Sequence, residues 1–171
     1  MSARKLLLLG DIGVGKTSIA RRLVFDRHDT GYKATLGVDI YDYAITDAGP
    51  KGDQPVDLSI WDTDGNVSEH IYREKHYVIG ASGAIIVGDV TRPGSQDMML
   101  RLAAMCDEKL PGRHVAFILN KSDLIGTLPD FVVPDALTSS GHPLVLTSAV
   151  NGDNIREAFR NAASSILRRG Y

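Results

Sequence analysis

Gly10-Asp11-Ile12-Gly13-Val14-Gly15-Lys16-Thr17 is the stretch that decides the fold. It matches the pattern G-x-x-x-x-G-K-[ST] and directly follows the apolar run of residues 6–9. Residues 17–25 then place apolar side chains on one helical face. This order predicts a buried strand, a phosphate-binding loop and a helix. Glycines let successive backbone N–H groups turn toward phosphate oxygens, and the helix N-terminus adds positive partial charge.

Two side chains of this loop have specific expected roles. The Lys16 ammonium is expected to reach the β- and γ-phosphates of a nucleotide, and the Thr17 hydroxyl is expected to ligate Mg²⁺. The complete set of loop residues expected to contact nucleotide is Asp11, Ile12, Gly13, Val14, Gly15, Lys16, Thr17 and Ser18.

Asn120-Lys121-Ser122-Asp123 predicts which base is bound. It follows the strand-like run 115–119, at the edge where α/β sheets bind ligands. The Asp123 carboxylate can accept from guanine N1–H and the exocyclic amine together, whereas adenine would leave it unpaired. The Lys121 stem can lie along the base, and Asn120 can brace the phosphate loop. The alternative is an ordinary capped turn, for which Asn and Asp are common residues.

A second polar segment, Asp62-Thr63-Asp64-Gly65, follows the alternating run 56–61. We expect the Asp62 carboxylate to hold the water shell of Mg²⁺ and the Gly65 N–H to approach the γ-phosphate. Thr35, in the polar loop 26–37, is a plausible second protein ligand for the metal; alone it would be an ordinary surface threonine.

The rest of the chain alternates strand-like and helix-like segments, which predicts a parallel α/β sheet. Residues 38–46 and 56–61 alternate in the strand manner around a turn-rich connector, 47–55, and predict one hairpin. Strands are further expected at 84–90, 115–119 and 144–146, and helices at 95–110, 129–140 (irregular near Pro134) and 153–168.

Composition bounds the class of protein. The 171 residues are 43% hydrophobic and 23% charged, which suits one globular domain over 1–171. The net charge of −2, from 19 basic and 21 acidic side chains, gives no electrostatic reason to expect nucleic acid as partner. The single cysteine, Cys106, suits a reducing cytosol and is expected in the core. No targeting, membrane-spanning or lipidation signal is found, so we expect a cytoplasmic protein without its own membrane anchor.

Taken together, these motifs make the chain resemble a Ras-superfamily small GTPase, nearest the Rab-like branch. The resemblance is carried by residues 10–17, 32–39, 61–65 and 120–123 and by Thr147-Ser148-Ala149, in the family's order. It implies a three-layer P-loop NTPase fold with a six-stranded, mostly parallel sheet, one antiparallel edge strand and about five helices. It further implies binding of GTP and GDP with Mg²⁺, slow hydrolysis of GTP, and switch loops ordered by the γ-phosphate.

The resemblance adds residues on the base side. Ser148, Ala149 and Val150 fall in the last base-contacting loop, where the Ala149 N–H would meet guanine O6. His28 stands where relatives often have a phenylalanine against the guanine; a surface histidine is the alternative.

Departures from the family pattern concern hydrolysis. Asn66 replaces the usual glutamine that orients the attacking water, and its amide is one methylene shorter. Asp64 adds negative charge near the γ-phosphate. Ile12 either crowds the space of the catalytic water or packs under the switch. With Lys16, Thr35 and Gly65, Asn66 completes the set of residues expected to act in catalysis.

Partners are expected at an apolar platform of Ile40, Trp61 and Tyr77, although partial core burial is the alternative. The platform would contact effectors and exchange or activating proteins, with the chain a monomer. Two functions remain open: a regulated GTPase switch, and a GTP-binding interaction module with negligible hydrolysis. A phosphate-loop kinase is a distant third, because no room remains for a substrate-binding insertion.

Overall fold

The computed structural model describes residues 3–27, 37–46, 55–66 and 75–171. Within them six strands form one sheet: β1 Arg4–Gly10, β2 Val38–Ile45, β3 Val56–Thr63, β4 Ala81–Asp89, β5 His114–Asn120 and β6 Leu144–Leu146. The α-helices over the same residues are α1 Lys16–Phe25, α2 Lys75–Val78, α3 Pro93–Lys109, α4 Asp135–Thr138 and α5 Ile155–Arg168; Ser122–Thr127 is a 3-10 helix. The predicted six-stranded α/β architecture is confirmed.

The order of strands places the ligand-binding edge. Over the described residues the sheet runs β2-β3-β1-β4-β5-β6, and only β2 and β3 pair antiparallel. β1 lies where the order reverses, because β3 flanks it on one side and β4 on the other. Ligands of open α/β sheets bind at such a switch point, beyond the carboxyl ends of the strands. Gly10 ends β1 there, so the phosphate loop begins at this edge.

Alternate residues of β1 supply two separate cores. Leu6 and Leu8 belong to one buried cluster, which also contains residues of α1 and α5. Leu7 and Leu9 belong to the other, which also contains residues of α3. Successive side chains of a strand point to opposite faces of the sheet, so this four-leucine run is buried on both faces. The result is a three-layer arrangement, with α1 and α5 on one face and α3 on the other.

One predicted helix is largely wrong. We expected an irregular helix over residues 129–140, but only Asp135–Thr138 is helical. Pro134 is its N-cap, with φ −58 and ψ 133. Proline fixes its own φ and disfavours helical conformation in the residue before it, so the helix cannot extend back through this position.

Cys106 is buried in the core, as predicted. Burial, followed by the nearby Asp107 charge, raises the pKa of its thiol to about 12. No helix within the described residues is long and apolar enough to cross a membrane.

Candidate functional site

The phosphate loop joins β1 to α1, as its sequence predicts. Gly15 is the N-cap of α1 and has φ +100, a left-handed conformation that glycine adopts without penalty. A Cβ at Gly15 would also overlap the amide nitrogen of Asn120. Two constraints, backbone conformation and close approach, therefore require glycine here. Of the other loop residues, Val14 is buried and Ser18 is half-buried in the first turn of α1.

Lys16 lies in the centre of this loop with only 6% of its surface exposed. Its Nζ donates to the carbonyl oxygens of Gly10 and Asp11, each at 2.9 Å. Burial lowers the pKa of the ammonium, and the carboxylates of Asp62 and Asp11 oppose that shift. An ammonium has three donors, so these two bonds leave one donor for a phosphate oxygen.

Thr17 and Asp62 meet where a metal ion is expected. The Thr17 hydroxyl donates to Asp62 Oδ2 at 2.5 Å. The other oxygen, Oδ1, is buried and has no hydrogen-bond partner within the described part of the chain. Burial raises the pKa of the Asp62 carboxyl to about 6. A buried carboxylate with one oxygen left without a hydrogen-bond partner fits a nearby cation.

The donor set also fits magnesium rather than a metal held by protein alone. Over the described residues, no group of three or more His, Cys, Asp or Glu side chains could hold a metal ion. Mg²⁺ normally keeps several waters and takes phosphate oxygens with one or two protein ligands. The Thr17 hydroxyl and the Asp62 carboxylate, beside a phosphate loop, suit that pattern.

Gly65 lies directly against the phosphate loop. A Cβ on Gly65 would come within 2.5 Å of the Ile12 backbone nitrogen. Ile12 is 43% exposed and its side chain also contacts this position. Of the two interpretations of Ile12, this contact supports packing against the segment that follows β3.

Asp64 and Asn66 form a local turn beside Gly65. The Asn66 backbone N–H donates to Asp64 Oδ1 at 3.0 Å, and the Asp64 N–H donates to the Gly37 carbonyl at 2.9 Å. The Asn66 side chain is exposed. Asp64 is therefore engaged in a turn, and the carboxylate is directed back to the backbone of its own segment.

Asn120 is the structural centre of the site. Its Nδ2 donates to the Val14 carbonyl of the phosphate loop at 3.0 Å. Its Oδ1 accepts from the Thr147 hydroxyl and from the Ala149 backbone N–H, both at 3.2 Å. One buried amide thus joins the phosphate loop to the segment after β6, and the predicted brace is present.

Lys121 and Asp123 flank the expected base position. Lys121 has φ +67, and its ammonium forms a 2.6 Å ion pair with the fully buried Asp89. Asp123 is exposed, and its Oδ1 accepts from the Ser148 hydroxyl at 2.6 Å. Val150, next to the buried Ala149, is 49% exposed. The structure therefore places Lys121, Asp123, Ser148 and Ala149 around one edge of the sheet.

The expected partner platform is only partly open. Ile40 lies opposite Trp61 in the β2–β3 pairing and is 54% exposed. Trp61 and Tyr77 pack against the α3-side core, and Lys5 Nζ lies 3.5 Å from the centre of the Trp61 ring. Among these three apolar residues, Ile40 is therefore the one that presents a large exposed surface.

Two predicted site residues, His28 and Thr35, lie outside the described residues. The predicted hairpin connector lies outside them as well, apart from Pro55.

Sequence reasoning missed Asp89 and Arg92. Asp89 accepts from the Thr91 N–H and hydroxyl as well as pairing with Lys121. Burial alone would raise the Asp89 pKa, but these partners leave it lowered overall. Arg92 reaches the phosphate loop, where it contacts Ile12 and Asp11. The sequence did contain an indication of both residues, because they lie at the end of a buried strand, at the same sheet edge as Asn120.

Comparison with known protein families agrees with this geometry. A family model described as the Ras family matches residues 5–168, which is nearly the whole chain.

Proposed function

The chain belongs to the Ras family and is a GTP-binding small GTPase; we propose that it is a regulated switch, one domain over residues 1–171. In this proposal it binds GTP or GDP with Mg²⁺, hydrolyses GTP slowly, and presents Ile40, with Trp61 and Tyr77 beside it, to protein partners. The carrying observation is the Asn120 amide, which bonds both Val14 of the phosphate loop and Ala149 of the base-side loop. One nucleotide spanning those two loops accounts for this arrangement.

We expect the phosphates to be bound by Lys16 and by the N-terminus of α1. Lys16 has a donor left for the β- and γ-phosphates, and the backbone N–H groups at the start of α1 add positive potential. Thr17 would ligate Mg²⁺, Asp62 would hold the water shell of the metal, and Thr35 is proposed as a second protein ligand. When bound, the metal supplies positive charge to the phosphate oxygens.

Guanine recognition falls to Asp123, supported by Ser148. The Ser148 hydroxyl fixes one carboxylate oxygen of Asp123, and the exposed carboxylate is then oriented to accept from the base. His28 and Lys121 are proposed to lie along the two faces of the base. The Ala149 N–H and the neighbouring Val150 complete the base-side loop in this proposal.

The first experiment is the nucleotide specificity of Asp123→Asn. Asparagine keeps the size of the side chain but replaces a carboxylate acceptor by an amide donor that faces guanine N1–H. Selectivity should therefore shift to xanthine nucleotides, whose base offers an acceptor there. Competition binding against labelled GDP measures it, with Asp130→Asn, another exposed carboxylate, as the matched control. Unchanged GDP affinity in Asp123→Asn would remove this residue from the base site.

A second function, a GTP-binding module with negligible hydrolysis, is favoured by one observation. The Asn66 side chain is exposed, and its amide is one methylene shorter than that of glutamine. Purified protein left for hours at room temperature separates the two functions, because GDP in the extract indicates turnover and retained GTP indicates the module. The Rab-like branch and a cytoplasmic monomer remain part of the proposal.

A further inference from the structure

Arg92 fastens the phosphate loop from outside the nucleotide motifs. It follows β4 and is the N-cap of α3. Its Nη1 donates to the Ile12 carbonyl at 2.6 Å, and its Nη2 pairs with Asp11 Oδ2 at 2.7 Å. Asp11 Oδ1 accepts from the Ile12 backbone N–H at 2.7 Å. Arg92 and Asp11 together therefore hold both backbone polar groups of Ile12.

The turn that carries Arg92 is itself held by hydrogen bonds. The Arg92 backbone N–H donates to the Asp89 carbonyl at 3.1 Å, and its carbonyl accepts from the Ser95 hydroxyl at 2.7 Å. Asp89 is fully buried and pairs with Lys121 of the base-side segment. A continuous set of polar contacts thus runs from the base-side segment through this turn to the phosphate loop.

Charge gives Arg92 a second role. The Asp11 carboxylate lies close enough to Lys16 to favour the charged ammonium, so it lies within electrostatic reach of bound phosphates. An unpaired carboxylate there would repel them, and Arg92 compensates its charge. The side chains of Arg92 and Asp11 are 43% and 29% exposed, so solvent weakens the pair itself. Its effect on the loop is therefore expected to exceed its effect on overall stability.

We propose that Arg92 is a positioning residue that slows nucleotide release, by fixing Ile12 and compensating Asp11. This inference rests on the proposed function and identifies a determinant of its nucleotide residence time. Both terminal nitrogens of Arg92 are engaged by the loop, so the residue acts through the loop rather than on the phosphates. Its loss is expected to speed GDP release about tenfold, equivalent to ~1.4 kcal/mol.

The test is a double-mutant cycle on GDP dissociation. Fluorescently labelled GDP is loaded with Mg²⁺, and its release into excess unlabelled GDP is timed for wild type, Arg92→Gln, Asp11→Asn and the double variant. Arg92→Gln should release fastest. The double variant should release more slowly than Arg92→Gln, because the unpaired carboxylate is gone. Arg92→Lys keeps the charge without the planar fork and should fall between Arg92→Gln and wild type.

Two controls separate positioning from general destabilisation. Arg101→Gln removes an exposed arginine of the same helix and should leave the release rate unchanged. Bound GDP contributes to the stability of the loaded protein, so in excess GDP the free energy of unfolding of Arg92→Gln should fall by about the ~1.4 kcal/mol that the faster release represents; a much larger fall would indicate general destabilisation and would overturn the inference. A release rate for Arg92→Gln equal to wild type would overturn the inference, as would a double variant no slower than Arg92→Gln. Failure of the wild type to retain GDP would instead contradict the proposed function.

Discussion

Replacement of Asn120 by alanine tests the centre of the site. Asn120 is 2% exposed, and the groups it bonds are as deeply buried: Val14 and Thr147 at 0% and Ala149 at 5%. Alanine removes all three bonds and leaves no side chain that could replace them. At about 1 kcal/mol net for each hydrogen bond, we expect the free energy of unfolding to fall by at least about 3 kcal/mol, because weaker GDP binding would add to the loss. This is a large part of the ~5–15 kcal/mol typical of a domain, yet the protein should still fold.

The assay is urea unfolding in a fixed excess of GDP and Mg²⁺, followed by the fluorescence of Trp61, the one tryptophan. Asn120→Asp gives a second measurement with nearly the same shape. It replaces the Nδ2 donor by an oxygen facing the Val14 carbonyl and buries a charge, so its loss should at least equal that of alanine. Asn161→Ala, on the exposed face of α5, is the control and should stay within about 0.5 kcal/mol of wild type.

The reasoning is refuted if Asn120→Ala is as stable as Asn161→Ala. That result would mean that the two loops keep their arrangement without the amide. GDP release should be measured on the same samples, because loosening Val14 is expected to speed it. A large loss of stability with an unchanged release rate would confine Asn120 to folding and remove it from nucleotide retention.

Three further predictions address other parts of the molecule. Gly65→Ala should lower the free energy of unfolding, measured in urea, by about 1–3 kcal/mol. Adding Ile12→Ala should not fully restore it, because the new Cβ also meets backbone atoms of Ile12. Gly126→Ala is the control, since a Cβ added there has no neighbour within 4 Å. Asn66→Gln should speed single-turnover GTP hydrolysis tenfold or more, since a 1 Å misplacement of a reacting group can cost about a hundredfold; equal or slower hydrolysis would mean that another group positions the water. His114 is 5% exposed, and burial, with nearby Arg169 and Arg168, lowers its pKa to about 4, so the unfolded chain binds the proton more tightly. The contribution of the neutral His114 to the free energy of unfolding is therefore complete above pH ~6.5, and about 3 kcal/mol of it is lost as the pH falls to about 4. In acid unfolding, His114→Gln should not show this loss, whereas His76→Gln, a change at an exposed histidine, should show it as wild type does.

The elements and the loops at the sheet edge were predictable because local patterns determine them. The pattern of Leu6–Leu9 indicates a strand, and the phosphate loop comes directly after it in the sequence. The loop must therefore lie at the carboxyl end of that strand. Ends of elements were less predictable: β3 continues through Asp62 and Thr63, two polar residues that pair with β2, and Asp62 also pairs with Leu8 of β1. The helix predicted over residues 129–140 was expected to be irregular near Pro134, but the apolar spacing did not indicate that the whole segment before this proline would be non-helical.

Apart from the brace that Asn120 forms on the phosphate loop, the contacts within the site could not be predicted in the same way. Arg92, for example, is 80 residues from Ile12. No local sequence pattern determines which polar side chains at one sheet edge form contacts with one another. What the sequence does contain is the position of each at the end of a buried strand, which limits the possible partners to that edge.

The burial of β1 in both cores has a consequence for local unfolding. Since Leu6 and Leu8 belong to one core and Leu7 and Leu9 to the other, neither helical layer can separate without exposing one face of this strand. Partial opening events that spare one core still leave β1 hydrogen-bonded on both sides. Its amide hydrogens should therefore exchange with solvent only through global unfolding, among the slowest in the protein. The phosphate loop begins at the end of this strand, so one end of it is anchored in the part of the molecule that opens least often.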